Sequence, residues 1–569
     1  MTRLDRYFRL VVLAGVLAGA PTARAANFTT GAEPAVKFGV HEIVLSAAGS
    51  TANPFDTVAT VTFTPPSGAK QAKTVYAFYD GGNAWRARVY VSEVGGWTWS
   101  SACATDKGLD GRSGGFAAGD SKLRGRLLPH PKDPRQWMTD DGRWFLNLVD
   151  TAYFLLSSKD YQGQPIREQD FHDYVRDAVN HGVTSFMTQG VAYAKAISEE
   201  QSWTAKYFED AGLTRLRLEN LRFSDQRLRW LLDHYPDVGI EMILFPRGAP
   251  YGADERFWKQ LTAAEKERIL RYVIARYAAY PQIFWLIAND THYGEKFPNN
   301  NAYVREVGAY FKQHDPWQHP LSTGHARHVD FFFGDEDWAT YLHLENAYDL
   351  GASQYPKYRR FAKPVSLGED RYEQDHPNRL DPINMRYYQR RLYWAWLLSG
   401  GSANYGGRWW VLHPYTQTGK REAPNPRPAY AATPHRAALT GLDSVRFIRD
   451  YFVSRKIELS DFEPDHSLAS DPDGGQDARA PKLMRRGHEE FLLYHPNAAA
   501  DGREAKPQSE RTARVLLDLH QADGPLAVEW YRAHDGIAQQ GGQVAGGTEV
   551  ELVAPWPGHD VVLRLVKTR

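Results

Sequence analysis

The segment PQIFWLIAND, residues 281–290, decides the fold that the sequence predicts. A helix-like segment ends at Tyr280, and the apolar run Ile283–Ile287 then leads to Asn289 and Asp290. A short apolar run between turn signals is typical of a strand buried on both faces of a parallel sheet. An acid that directly follows such a strand lies at the carboxyl edge of the sheet. In a (β/α)8 barrel this edge is the functional face.

A second segment of the same form, KPVSLGEDRYE, spans residues 363–373 and places Glu369 just after its apolar core. Runs of this kind alternate with helix-like stretches over residues 127–455, and this alternation predicts one (β/α)8 barrel. The eight predicted barrel strands are Trp144–Val149, Thr184–Met187, Ile240–Phe245, Ile283–Ile287, His319–Ser322, Thr340–Leu344, Pro364–Leu367 and Ser402–Tyr405.

Helix-like segments fill the intervals between these strands. Thr262 and Glu265 form a capping-box pattern at the start of one of them. The predicted helices are Glu168–Asn180, Ser224–His234, Thr262–Tyr277, Asn301–His314 and Asn384–Leu398.

Short alternating segments with Gly/Pro turns flank the barrel region on both sides. This pattern predicts a β-sandwich at residues 26–126 and a second one at residues 456–569. The fold class is therefore α/β, with a (β/α)8 barrel between two β-sandwich domains.

Residues 1–25 have the pattern of a signal peptide. Arg3, Arg6 and Arg9 precede the apolar segment Leu10–Ala20, which is short for a membrane span, and Ala23–Ala25 has the form of a cleavage site. We expect an exported protein, periplasmic or extracellular, whose mature chain begins near Ala26 and does not insert into the membrane after cleavage.

The composition narrows the classes of function. Lys plus Arg equals Asp plus Glu at 68 each. The chain therefore lacks the broad positive electrostatic field that favours the binding of nucleic acid. Cys103 is the single cysteine, which excludes an intramolecular disulfide and a metal site built from cysteines. His325 and His343 lack metal-ligand spacing, so we expect no metal and no cofactor.

Two carboxylates at the ends of two barrel strands suit the hydrolysis of a glycosidic bond. One acid protonates the leaving oxygen, and the second carboxylate attacks the anomeric carbon or activates water. Asp290 follows an apolar strand that favours its protonated form, so we assign it as the acid. Glu369 precedes Arg371 and Tyr372, which suit an ionised nucleophile. Each acid also has a structural interpretation, as a helix cap or an ion-pair partner.

Further polar and aromatic residues follow the predicted strands and complete a candidate sugar-binding cleft. Each of them is also compatible with a purely structural role. The candidate substrate-binding residues are Asp150, Tyr153, Gln189, Asn289, His325, His343, Glu345, Tyr372, Tyr405, Trp409 and Trp410.

Four segments carry a resemblance to a known family: WLIAND, KPVSLGEDRYE, GRWFLNLVDTAY and FLLYHPN with VEWYRAHDG. They resemble apiosidase-like glycoside hydrolases (glycoside hydrolase family 140 and relatives), which have an N-terminal β-sandwich, a barrel and a C-terminal sandwich similar to collagen-binding domains. The resemblance implies a retaining, exo-acting hydrolase of a plant or bacterial polysaccharide, with Asp290 as acid/base. This chain departs from the family pattern at Ala288-Asn289 and at Asp370. The resemblance implies that Asn289 contacts a sugar hydroxyl.

Two other functions remain open from the residues. A degenerate barrel between two sandwiches would be a carbohydrate-binding protein without catalysis, which the shorter side chain of Asp290 favours. A polysaccharide lyase would use Tyr372 or His343 as a base and would release an unsaturated product. The expected partner is an oligo- or polysaccharide. The sugar, its linkage, exo or endo action and the oligomeric state are left open.

Overall fold

The computed structural model describes residues 26–49, 53–158, 166–189, 209, 215–245, 258–259, 261–289, 291–324, 330–345, 349–370, 385–406, 441–474, 479–498 and 510–568. These residues form an N-terminal sandwich, a parallel barrel and a C-terminal sandwich.

The N-terminal sandwich consists of eight strands in the order β1-β3-β6-β5-β4-β7-β8-β2. Strand β5 pairs with β4 and, through Phe78 and Tyr79, with β6, so it passes from one layer to the other. Trp85 and Trp97 are buried in the core between the layers. The strands are β1 (Phe28–Thr30), β2 (Ala35–Val36), β3 (Val40–Ser46), β4 (Ala59–Thr64), β5 (Lys73–Tyr79), β6 (Ala84–Tyr90), β7 (Gly95–Cys103) and β8 (Ser113–Gly119).

A small antiparallel sheet closes the lower end of the barrel, where the barrel strands begin. It consists of β9 (Leu127–Pro129), β10 (Trp137–Thr139) and β11 (Trp144–Phe145). Trp137 packs against Phe284 and Tyr341 at ring-centroid distances of 6.2 and 5.6 Å. This aromatic cluster seals the barrel interior from below.

The barrel contains eight parallel strands in the order β16-β15-β14-β13-β12-β19-β18-β17. At the seam between β16 and β17, the amide of Thr340 donates to the carbonyl of Leu321 (2.8 Å), and the amide of His343 donates to Oγ of Ser322 (3.2 Å). The strands are β12 (Leu148–Thr151), β13 (Ser185–Gln189), β14 (Gly239–Phe245), β15 (Ile283–Ala288), β16 (Leu321–Ser322), β17 (Leu342–Glu345), β18 (Val365–Glu369) and β19 (Ser402–Tyr405).

Helices surround the barrel. The capping box predicted at Thr262 is confirmed, since its hydroxyl accepts from the amide of Glu265 (3.3 Å) and the Glu265 carboxylate accepts from the amide of Thr262 (2.7 Å). The helices are α1 (Glu168–Asn180), α2 (Leu218–His234), α3 (Ala263–Tyr277), α4 (Pro298–His314), α5 (Tyr355–Tyr358), α6 (Met385–Ser399) and α7 (Val445–Arg455), with 3₁₀ turns at Pro54–Asp56, Ala69–Gln71, Arg359–Phe361, Leu459–Asp461 and His466–Leu468.

The C-terminal sandwich packs a six-stranded sheet, β20-β22-β23-β28-β25-β26, on a three-stranded sheet, β21-β24-β27. Its strands are β20 (Glu463–Pro464), β21 (Ala469–Ser470), β22 (Lys482–Arg486), β23 (Glu490–His495), β24 (Thr512–Asp518), β25 (Pro525–Arg532), β26 (Ala538–Ala545), β27 (Glu549–Pro557) and β28 (Val561–Lys567). The buried side chain of Arg390 in α6 binds both carboxylate oxygens of Asp560 and thereby ties this sandwich to the barrel.

The N-terminal sandwich meets the barrel through a buried network of charges. Arg88 donates to Glu42 (2.8 Å) within the sandwich and to both carboxylate oxygens of Asp225 (2.8 Å each) in the barrel. Arg276 of α3 pairs with Asp225 (2.6 Å) and with Asp80 of the sandwich (3.1 Å). The pairs Arg88–Asp225 and Arg276–Asp80 each join the two domains, which favours one relative placement of them.

The fold class predicted from the sequence is confirmed, including all eight barrel strands. Several boundaries differ from the predicted ones, most of all those of the first barrel strand and of helices α2 and α4. The predicted first strand, 144–149, is divided because Trp144 and Phe145 pair with β10, and the barrel strand begins only at Leu148. Helices α2 and α4 begin earlier than predicted, and α4 does so because a proline suits the first helical position. Among the described residues, none of the helices is long and apolar enough to cross a membrane.

Candidate active site

The parallel strands of the barrel end on one side, and this side collects most of the described candidate residues. Gln189, Glu345, Glu369 and Tyr405 are the last residues of β13, β17, β18 and β19, and Asn289 directly follows β15. Glu345 and Glu369 are register partners on adjacent strands. Barrel closure therefore gathers residues that lie far apart in the chain.

A short chain of hydrogen bonds ends at Glu369. The hydroxyl of Tyr153, in the turn after β12, donates to Oε2 of Glu369 (3.1 Å). The side-chain amide of Asn289 donates in turn to the Tyr153 hydroxyl (3.2 Å). All three side chains are buried. Donors that point toward a carboxylate favour its ionised form and hold it in one orientation.

A second polar chain runs through the barrel interior beneath this group. Nδ1 of His343 lies 2.7 Å from Oε1 of Glu241, and the hydroxyl of Tyr341 donates to the same oxygen (2.8 Å). Nε2 of His343 lies 3.7 Å from Oε1 of Glu345. The imidazole and the hydroxyl thus meet at one carboxylate oxygen of Glu241. Burial, and then the charge of Glu241, raises the pKa of Tyr341 well above its usual value, which keeps it a donor.

The imidazole of His343 lies directly against Gly368, the residue before Glu369. A Cβ atom at position 368 would lie within 2.5 Å of Nδ1 of His343, so only glycine leaves room for this ring. The packing connects the interior chain with the strand end that carries Glu369.

Asp150 is held toward the helical layer of the barrel. The hydroxyl of Tyr174 in α1 donates to its Oδ2 (2.6 Å). Burial, and then the charge of Asp150, raises the pKa of Tyr393 in α6 well above its usual value. Its role in substrate binding stays a prediction.

Gln189 and Tyr405 lie at their predicted strand ends. Tyr405 is buried and is the register partner of Asp150. The backbone amide of Gln189 donates to the backbone carbonyl of Tyr153 (3.1 Å). That bond attaches the turn carrying Tyr153 to the end of β13.

Asp290, His325, Tyr372, Trp409 and Trp410 lie outside the residues that the structure describes. Their predicted roles stay predictions. Within the described ranges, no group of three or more His, Cys, Asp or Glu residues could hold a metal ion.

Sequence reasoning missed two acids near the site. Glu241 lies within the apolar run Ile240–Phe245, and a lone carboxylate in a fully buried strand was a signal that could have identified it. Asp370, at the position where the family pattern departs, accepts from the Tyr388 hydroxyl (2.5 Å) and the Asp349 amide (3.2 Å). These contacts tie the segment after Glu369 to helix α6.

The arrangement offers one oriented carboxylate at the open end of a barrel. Such a group attacks an electrophilic carbon or takes a proton from water, depending on the distance to a second acid. Glu345, on the neighbouring strand, supplies a second buried carboxyl group close by.

Comparison with known families gives two matches. The family described as "Apiosidase-like, catalytic domain" matches residues 131–457, which is more than half of the chain. A domain of unknown function (DUF5060) matches residues 35–104. No curated protein matches the chain.

Solved structures of similar fold are glycoside hydrolases by their descriptions. A candidate glycoside hydrolase of Bacteroides vulgatus ATCC 8482 has a TM-score of 0.67 at 16% identity, covering 95% of this chain and 100% of that one. A glycoside hydrolase family 5 protein of the same organism has a TM-score of 0.59 at 14% identity, covering 78% and 94%. A third structure, described as a glycoside hydrolase, has a TM-score of 0.57 at 15% identity, covering 78% and 97%.

Proposed function

Because the chain belongs to the apiosidase-like family and is a glycoside hydrolase, we propose that it is an exported, retaining O-glycosidase of a plant or bacterial polysaccharide. Glu369 is the nucleophile and Asp290 is the acid/base. The observation that carries these roles is the hydrogen bond from the Tyr153 hydroxyl to Oε2 of Glu369, supported by Asn289.

The donors around Glu369 suit a nucleophile better than an acid. A general acid must hold a proton near neutral pH, which calls for an apolar environment without donors. Glu369 instead receives a hydrogen bond from a hydroxyl that is itself polarised by an amide. Asp290 directly follows Asn289 in the sequence, and Asn289 itself follows the apolar strand β15, three strands from β18 around the ring.

The reaction proceeds in two displacements. A carboxylate oxygen of Glu369 forms a bond to the anomeric carbon while the glycosidic C–O bond breaks and Asp290 gives its proton to the leaving oxygen. Asp290, now ionised, takes a proton from water. The water oxygen then replaces Glu369 at the anomeric carbon and the configuration is retained.

Export rests on the N-terminal sequence. Three arginines, an apolar segment and the Ala23–Ala25 motif are the parts of a secretory signal. Expression of the full chain in a bacterium and N-terminal sequencing of the periplasmic product test this. We expect the mature chain to begin at Ala26, whereas an intact N-terminus in the cytoplasm would overturn export.

The catalytic roles are tested with the Glu369→Gly variant. We expect no turnover with a panel of plant and bacterial polysaccharides, and restored bond cleavage with a glycosyl azide product when azide is added. A glycosyl azide of inverted anomeric configuration identifies Glu369 as the nucleophile, because azide replaces it in a single displacement. The configuration of the first sugar released by the unaltered enzyme, followed by NMR, reports retention.

The matched control is Asp370→Asn, which removes the neighbouring carboxylate that contacts Tyr388. This variant should keep the retaining stereochemistry. If the unaltered enzyme released a sugar of inverted anomeric configuration, Glu369 would act as a general base rather than as a nucleophile. A product that absorbs in the ultraviolet would indicate a lyase, and binding without any product would indicate a carbohydrate-binding protein.

A further inference from the structure

A cavity of about 560 Å³ lies between the helical layer of the barrel and the C-terminal sandwich. Its volume falls within the range of small-molecule sites. The barrel side and the linker contribute His181, Arg386, Arg390, Asp443, Ser444 and Arg446, and the sandwich contributes His534, Gly558 and His559. None of these residues belongs to the candidate active site.

The lining is rich in cationic and proton-accepting groups. Three guanidinium groups and three imidazoles line the cavity together with one carboxylate, that of Asp443. A further carboxylate, that of Asp535, lies 3.4 Å from Nε2 of His534. Arg390 is bound to Asp560 and Arg386 to Asp443 (2.7 Å). Arg446 has no carboxylate in ion-pair range among the described residues and lies over the ring of Phe447 at 4.6 Å. One positive charge therefore remains available in the wall.

The two imidazoles of the sandwich stand side by side. His534 and His559 stack with ring centroids 4.7 Å apart and planes 3° from parallel. Nδ1 of His534 is buried without a hydrogen-bond partner in the part of the chain that the structure describes. A buried polar atom of this kind costs free energy until a ligand or water meets it.

We propose that this cavity binds an oxyanion, a carboxylate, phosphate or sulfate group, carried by a ligand of about monosaccharide size. Arg446 supplies the charge, and the imidazoles of His534 and His559 supply hydrogen bonds that strengthen when they are protonated. The site joins two domains, so its occupation also strengthens their contact.

The environment of the imidazoles supports coupling between binding and protonation. Burial is the main cause that lowers the pKa of His534, and the charges of Arg390 and His559 lower it further. The carboxylates of Asp535 and Asp560 act in the opposite direction and raise this pKa. Burial is also the main cause that lowers the pKa of His559, and the charges of Arg532 and Arg390 lower it further. The same two carboxylates, Asp535 and Asp560, raise this pKa. A bound anion raises both pKa values, so binding takes up protons and weakens as the pH rises.

Calorimetry on the full chain tests the proposal, with inorganic phosphate, sulfate and D-galacturonate as probes and D-galactose as the neutral control. We expect at least one of the anions to bind, and to bind more tightly at about pH 5.5 than at about pH 8. Galactose should not bind at either pH. The anion that binds distinguishes a free inorganic ligand from a carboxylated sugar.

Arg446→Ala should weaken that binding about tenfold or more, because a charge-assisted contact is lost. Arg449→Ala, one turn later on α7 and outside the cavity, should leave it unchanged. His559→Gln should reduce the pH dependence, and Glu369→Gln should bind as the unaltered chain does, which separates this site from the active site. The proposal is overturned if no probe binds at millimolar concentration, or if Arg446→Ala binds as well as the unaltered chain.

Discussion

Nδ1 of His343 and Oε1 of Glu241 lie 2.7 Å apart inside the barrel, on strands β17 and β14. Both side chains are fully buried, and Tyr341 donates to the same carboxylate oxygen. Since His343 also lies against Gly368, this pair supports the strand that presents Glu369.

Glu241→Leu should destabilise the protein by about 1–3 kcal/mol, since it removes the carboxylate beside the buried Nδ1 of His343, whereas Tyr341 keeps the carbonyl of Trp285 as an acceptor (3.0 Å). Urea unfolding followed by circular dichroism measures the change in the free energy of unfolding. Glu267→Leu, which removes a half-exposed carboxylate paired with Arg271 on α3, should cost at most about 1 kcal/mol. Equal stability of the two variants would contradict a supporting role for the interior pair.

Tyr153→Phe should lower kcat about ten- to hundredfold with little change in KM. The variant removes a hydrogen bond of about 1.5–3 kcal/mol to the nucleophile carboxylate. Steady-state kinetics on the substrate found in the panel measures this, with Tyr174→Phe as the control because Tyr174 binds Asp150 rather than Glu369. A larger loss of kcat in Tyr174→Phe would argue against the proposed role of Tyr153.

Gly368→Ala should lower the activity and destabilise the fold by about 1–3 kcal/mol, the usual range for overpacking a core. The added methyl group displaces the imidazole of His343. Gly96→Ala is the control, because Gly96 lies in a strand with open space around its Cβ position. Thermal unfolding and kinetics on both variants give the comparison. Full activity in Gly368→Ala would show that the ring moves without consequence.

The protein should lose stability on acidification through the contact between the N-terminal sandwich and the barrel. Burial alone would raise the pKa of Asp225, but the charges of Arg276 and Arg88 outweigh it and lower that pKa. Arginine neighbours also lower the pKa of Glu42 and Asp80 against their burial. Folded pKa values below the unfolded ones give stability that is present above about pH 4 and is lost as the pH falls through the folded values.

Melting temperatures measured from about pH 7 down to about pH 3 test this, with Asp225→Asn as the variant. Asp225→Asn should be less stable at neutral pH and should lose less on acidification. A curve for the variant parallel to that of the unaltered protein would place the acid sensitivity elsewhere.

The sequence determined the elements of the fold because their signals are local. Apolar runs such as Ile283–Ile287 and the capping box at Thr262 depend on residues within a few positions of each other. The strand ends with Glu369, Glu345 and Tyr405 follow from the same patterns, so the face that carries the candidate site was predictable. The predicted start of the first barrel strand was wrong because Trp144 and Phe145 pair with β10, and such a pairing is not visible in the local sequence pattern.

Only the tertiary structure decided which side chains meet. Tyr153 and Glu369 are 216 positions apart, and Glu241 and His343 are 102 apart. Their contacts depend on the register of eight strands and on the closure of the barrel between β16 and β17. Local periodicity places a residue at a strand end or inside a strand, whereas its hydrogen-bond partner is set by strands that are paired across the whole ring.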